Sequence, residues 1–127
     1  MKTYLFPLFL GLLSILSASC TKEVKYTKDE ILDLAQAADP SVKVILSRDK
    51  EVTNCSNGDY PEGCQNVFVV SVKDMEILAV EFLSQEQAIY AAKKVRGYYL
   101  HNWLLDDVAG EPILERFVEK ELKAKKP

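Results

Sequence analysis

"VFVVSVKDMEILAVEF", residues 67–82, is the most strand-like stretch of the chain. Valine, isoleucine and phenylalanine dominate it, and such side chains fit a pleated surface. Lys73-Asp74-Met75-Glu76 interrupts the apolar run and divides it into two arms, which reads as a hairpin. Side chains alternate across a strand. Phe68, Val70 and Val72 therefore share one face of the first arm, and Val67 and Val69 share the other. Apolar groups on both faces predict central strands, covered on at least one side.

The flanking segments supply the cover. Thr27-x-x-Glu30 is a capping box, followed at helical spacing by Ile31, Leu34, Ala35 and Ala38. Asp39-Pro40 stops that helix, because the residue before proline avoids helical angles. Ser41–Ser47 alternates as a strand, and 48–66 is polar and rich in turn formers. After the hairpin, Ser84 and Gln87 form a second capping box, with Ala88, Ala91, Ala92 and Val95 as an inner stripe and Gly97 as a stop. Tyr98–Val108 reads either as continued helix or as a last strand around Trp103-Leu104-Leu105; the strand is favoured. Gly110-Glu111-Pro112 opens a final helix with Ile113, Leu114, Phe117, Val118 and Leu122 on its apolar face. The order α-β-β-β-α-β-α predicts a single α+β domain, with an antiparallel sheet of three to four strands and helices packed on one face. Hairpin, helix and strand together resemble part of a ferredoxin-like fold. "ILAVEF" with its capped helix is also similar to the third strand and second helix of an RNA-recognition domain. The acidic balance, and the lack of stacking aromatics in "SVKVILS" and "VFVVSV", speak against nucleic acid as a partner.

The N-terminus has a different character. Lys2 precedes an apolar run from Tyr4 to Leu16, and the chain turns polar at Thr21. The run is the length of a signal-peptide h-region and short of the roughly 20 residues a spanning helix needs. Ser17-Ala18-Ser19 satisfies the small-x-small rule for an ordinary cut. Ala18-Ser19-Cys20 also resembles a bacterial lipobox, with Ser17 where that motif usually has Leu and Leu16 one place earlier. The resemblance implies residues 1–19 as a removed signal, Cys20 as the acylated first residue of the mature chain, 20–26 as a tether and 27–127 as the domain. It implies a membrane partner through the lipid and a place in the cell envelope. Thr21, rather than Asp, after the cysteine implies the outer membrane, facing the periplasm. The mature part resembles small bacterial envelope lipoproteins. Net charge is −3 over the whole chain, and Lys2 leaves with the signal, so the mature domain is slightly more acidic.

Cysteine counting adds a constraint. The three cysteines are Cys20, Cys55 and Cys64. In an oxidising compartment Cys55 and Cys64, close together in "NCSNGDYPEGC", form a natural disulfide, and Cys20 is the odd one that acylation would explain. A ring this short adds about 2–3 kcal/mol in the chain-entropy model. The loop reads as a plain staple or as a recognition loop tipped by Asp59, Tyr60 and Glu62.

"YYLHNWLLDDVAGEP", residues 98–112, holds the only His, the only Trp and three carboxylates. Tyr98 and Trp103 are candidates for docking a protein or stacking on peptidoglycan sugars, with core packing as the alternative. His101 with Asp106 or Asp107 could form a base and its orienter, the basis of a second reading as a lipid-anchored hydrolase. No nucleophile, glycine-rich loop or metal-ligand spacing accompanies them. Asp106, Asp107 and Glu111 lack the regular alternation of a calcium loop, and two cysteines plus one His fall short of a zinc site. No catalytic residue, metal ligand or cofactor is assigned. "KELKAKKP" ends the chain with four lysines, read as a solvated helix end or as a contact for anionic head groups. The function expected is a non-catalytic binding or structural module for an envelope protein or the cell wall.

Overall fold

A computed structural model describes residues 23–45, 55, 60 and 62–127. Cys20 and Asp59 lie outside the described residues. The elements in order are α1 (Lys28–Ala38), β1 (Lys43–Ile45), β2 (Cys64–Val72), β3 (Met75–Phe82), α2 (Gln85–Val95), β4 (Tyr98–Leu100), β5 (Trp103–Asp106) and α3 (Pro112–Arg116), which runs into a π-helical stretch, Phe117–Glu121. The strands form one antiparallel sheet in the order β1-β2-β3-β5-β4. The α+β class, the antiparallel sheet and the central hairpin are as the sequence leads one to expect.

β2 and β3 turn over two residues only, since Val72 pairs with Met75. Lys73 and Asp74 both have positive φ, 51° and 65°. That is the pattern of a type I′ turn, whose twist matches the flanking strands. The Lys73 N–H also donates to Ser41 Oγ at 3.0 Å, and its ammonium lies 3.7 Å from Asp39. The turn is thereby tied to the α1–β1 connection.

Two features differ from expectation. Tyr98–Asp106 is two short strands, not one, so the sheet has five strands. The added β5 lies between β3 and β4, which makes β3–α2–β4 a split βαβ unit, the connection that marks ferredoxin-like folds. Second, helices cover both faces of the sheet instead of one. Ile31 and Ala35 of α1, with Leu114, Phe117 and Val118, meet Ile77, Ala79, Trp103 and Leu105 on one face. Ala88, Ala91 and Ala92 of α2 meet Val80, Phe82 and Leu104 on the other. The reason is the two-sided apolar character of β3 and β5, which one layer of helices would leave half exposed.

Caps set the helix ends. The Thr27–Glu30 capping box is present. At α2, Ser84 Oγ accepts from the Gln87 N–H at 3.2 Å, as expected. The Gln87 side chain, however, packs over Gly63 instead of returning to Ser84. Glu23 takes a share of the capping: its Oε1 accepts from the Gln85 N–H. Leu34 and Ile113, expected on buried faces, are exposed.

The N-terminal entry is fixed by a buried amide. Asn102 Oδ1 accepts from the Tyr26 N–H at 2.7 Å, and its Nδ2 donates to the carbonyls of Tyr26 and Phe82 at 3.3 Å. The Trp103 Nε1–H donates to the same Tyr26 carbonyl at 2.8 Å. The folded chain thus begins ahead of α1, within the segment 20–26 read as tether. Asn102→Ala should strip partners from the half-buried Tyr26 N–H and the buried Phe82 carbonyl and lower stability by about 2–4 kcal/mol. Urea titration of wild type and variant measures this directly; a change under about 0.5 kcal/mol would show the clamp to be dispensable.

Candidate functional site

The sites expected from sequence divide into buried and exposed sets. Trp103 is 0% exposed, Tyr98 1% and Tyr60 6%. All three are therefore core residues, and their expectation as docking residues is corrected. Tyr60 is not a loop tip: it turns inward onto α2's face of the sheet, and its hydroxyl donates to Asp106 Oδ2 at 2.9 Å. Tyr98 is held from the opposite side, its hydroxyl donating to Glu119 Oε1 at 2.6 Å. Burial pushes the Tyr98 phenol above its ordinary range, and the Glu119 carboxylate adds to the rise.

The stapled loop closes as expected. Cys55 and Cys64 are bonded, with Cα atoms 5.7 Å apart. Its return limb lies against the start of α2: the Leu83 N–H donates to the Gly63 carbonyl at 2.9 Å. Gly63 has φ +96°, and a Cβ there would come within 2.1 Å of Gln87 Oε1. Only glycine lets the loop settle on that carboxamide. Gln87 Oε1 is buried and has no hydrogen-bond partner among the described residues.

Around this base is an open concavity lined by Glu62, Ser84, Glu86, Gln87 and Tyr90. Tyr90 is 62% exposed and Leu83, beside Ser84, 54%. Tyr90 does not stand out in sequence, because it sits next to a stripe of alanines that draws attention to the other face of α2, and Leu83 is a lone apolar residue ahead of the Ser84 cap. Of the two expected loop residues that are described, Tyr60 and Glu62, it is Glu62 that lies on this surface.

His101 occupies the β4–β5 turn at φ 52°. Its ring meets Tyr26 edge-on, with centroids 4.8 Å apart. Asp106 lies at the far end of β5, roughly 10 Å along the strand at ~3.4 Å per residue, where it accepts from Tyr60 and from the Asp107 N–H. The strand thus separates His101 from Asp106, one of the two orienters that the alternative hydrolase reading offers it. His101 instead lines a cleft with Tyr26, Gln85, Tyr99, Lys123 and Lys125. Among the described residues no three His, Cys, Asp or Glu side chains converge as metal ligands, and no helix is long and apolar enough to cross a membrane. An apolar crevice of about 40 Å³ between α1 and the sheet, bordered by Phe68, Trp103 and Phe117, is smaller than a ligand site and reads as imperfect core packing.

No family model, curated protein or solved structure matches the chain. The site is read from its geometry alone.

Two core tests follow from the burial. Trp103→Ala should cost about 3–5 kcal/mol by denaturant titration, because it leaves a large cavity; a loss below about 1 kcal/mol would return Trp103 to the surface. The fold favours the neutral Tyr98 phenol. Its contribution is therefore complete below the ordinary phenol value of 10.0 and is lost as pH rises beyond it. Stability measured from pH 8 to 11 should fall less steeply in Tyr98→Phe than in wild type; parallel curves would remove Tyr98 as the cause.

Proposed function

We propose that the protein is a lipid-anchored module of the bacterial cell envelope, acylated at Cys20, that binds a protein or cell-wall partner without catalysing a reaction. By the lipobox resemblance and Thr21, its place is the outer membrane, on the periplasmic side. The observation that carries the binding reading is the concavity beside the staple. Tyr90 stands exposed there, in the same lining as Glu62 of a cross-linked loop whose base is fixed by Gly63 and Gln87, and the exposed Leu83 adjoins Ser84 at its border. Large apolar side chains left in water mark interaction surfaces when they gather, and tyrosine is enriched among interface hot spots. A braced loop loses little entropy on binding. The carboxylates of Glu62 and Glu86 give the concavity an acidic lining that suits a donor-rich partner.

Metabolic labelling with a fatty-acid analogue tests the anchor: wild type should be marked and Cys20→Ala should not. Photocrosslinking in the native envelope tests the surface. A crosslinker at position 90 should give a discrete adduct with a protein or with peptidoglycan, and one at the equally exposed Ile113 should not. Tyr90→Ala should leave thermal unfolding within a degree or two and His101→Ala should leave the cellular phenotype intact. Loss of phenotype in folded His101→Ala, with Tyr90→Ala silent, would replace this reading with the anchored hydrolase.

A further inference from the structure

The C-terminal lysines are fixed in position. Lys123 adopts the left-handed region at φ 63°, which turns the chain and lets the Ala124 N–H return to the Val118 carbonyl at 2.8 Å. Ala124 is buried. Lys125 then pairs with Tyr99 on the free side of β4 through two backbone bonds of 2.9 Å. The segment closes an otherwise open sheet edge, and it presents the Lys123 and Lys125 side chains outward.

These lysines share the His101 cleft with Tyr26 and Gln85. Tyr26 is where the N-terminal chain is clamped, and Gln85 is where Glu23 caps α2. From Glu23 back to Cys20 is three residues, at most ~11 Å of extended chain. Neither lysine has a carboxylate within ion-pair distance among the described residues, and the nearby Glu23 is occupied as the cap. The cleft has an apolar floor of Leu100 and Leu122 and two ammonium groups at its rim.

We propose that this cleft is a membrane contact, in which Lys123 and Lys125 bind the phosphodiester head groups of anionic lipids. The proposal rests on the lipid anchor at Cys20. An anchor so short holds the cleft near the bilayer, within reach of a surface field that decays over a Debye length of about 8–10 Å. The domain as a whole is acidic, so a cationic rim at the anchored pole orients it on an anionic surface.

The experiment uses the full chain isolated from its native envelope, placed on vesicles of phosphatidylcholine alone or of phosphatidylcholine with about one quarter phosphatidylglycerol. Neither lipid has an amine, so lysine acylation can be mapped by mass spectrometry. Lys123 and Lys125 should label about threefold or more slowly on the anionic vesicles and recover in high salt, with Lys93 and Lys94 of α2 unchanged. Flotation with both compositions but equal labelling of all four lysines would overturn the contact and leave the anchor standing. Flotation on the anionic vesicles alone, with Lys123 and Lys125 protected, would overturn the anchor and keep the contact. Flotation with neither would overturn both. The same protection produced on phosphatidylcholine by inorganic phosphate would assign the cleft to a soluble anion and overturn the membrane contact.

Discussion

The structure depends on a central strand that has no polar face along most of its length. From Ile77 to Phe82, β3 places Ile77 and Ala79 against α1 and α3, and Val80 and Phe82 against α2. A strand of that composition is stable only in the middle of a sheet with cover on both sides. The remaining topology serves that requirement. β2 protects one edge of β3 through a two-residue turn, and β5 protects the other. β5 belongs there because its residues repeat the pattern: Trp103 and Leu105 face α1, and Leu104 faces α2. The outer strand β4 is three residues long, short enough to offer little edge for unwanted pairing. The β4 edge is closed further by Lys125.

Asn102 joins the pole of the molecule to this core. It lies in a tight turn, almost fully buried, and it serves three backbone groups from two distant segments. An apolar residue there would leave the Tyr26 N–H without its acceptor, and burying an unpaired amide costs more than the hydrogen bond itself contributes. The consequence is spatial. The N-terminal entry, the β4–β5 turn, the start of α2 and the return limb of the stapled loop are gathered at one end of the sheet.

Local signals made about half of this legible. The Thr27–Glu30 box, the stop at Asp39-Pro40 and the break at Lys73-Asp74 are interactions between residues close in sequence, so spacing alone reveals them. The Tyr98–Asp106 hairpin carried no comparable signal. Its turn uses His101 at positive φ without a glycine, and Asn102 compensates through partners 20 and 76 residues away. Tyr60 and Gln87 mislead for the same reason. A tyrosine between Asp59 and Pro61 looks like a loop tip, and a glutamine three places after serine looks like half of a capping box. In the fold each is claimed by a tertiary neighbour, Asp106 or Gly63, that local spacing does not bring near. Periodicity also overstated burial at Leu34 and Ile113, which lie at the margins of their helical stripes.

The distribution of aromatic residues carries the last step. Six tyrosines and one tryptophan in a small acidic chain suggest a sticky surface when only composition is known. The fold withdraws Tyr60, Tyr98 and Trp103 and gives each a polar partner, so their polar atoms are satisfied without solvent. Tyr90 is treated differently. It stays on the outer side of a helix whose inner side is alanine, where a smaller polar residue would meet every demand of packing. Stability supplies no reason for a large ring at that position, and the neighbouring Leu83 is equally unneeded by the core. An exposed aromatic that the core does not require, beside a covalently braced loop, is where selection for contact, as distinct from selection for folding, would leave its mark.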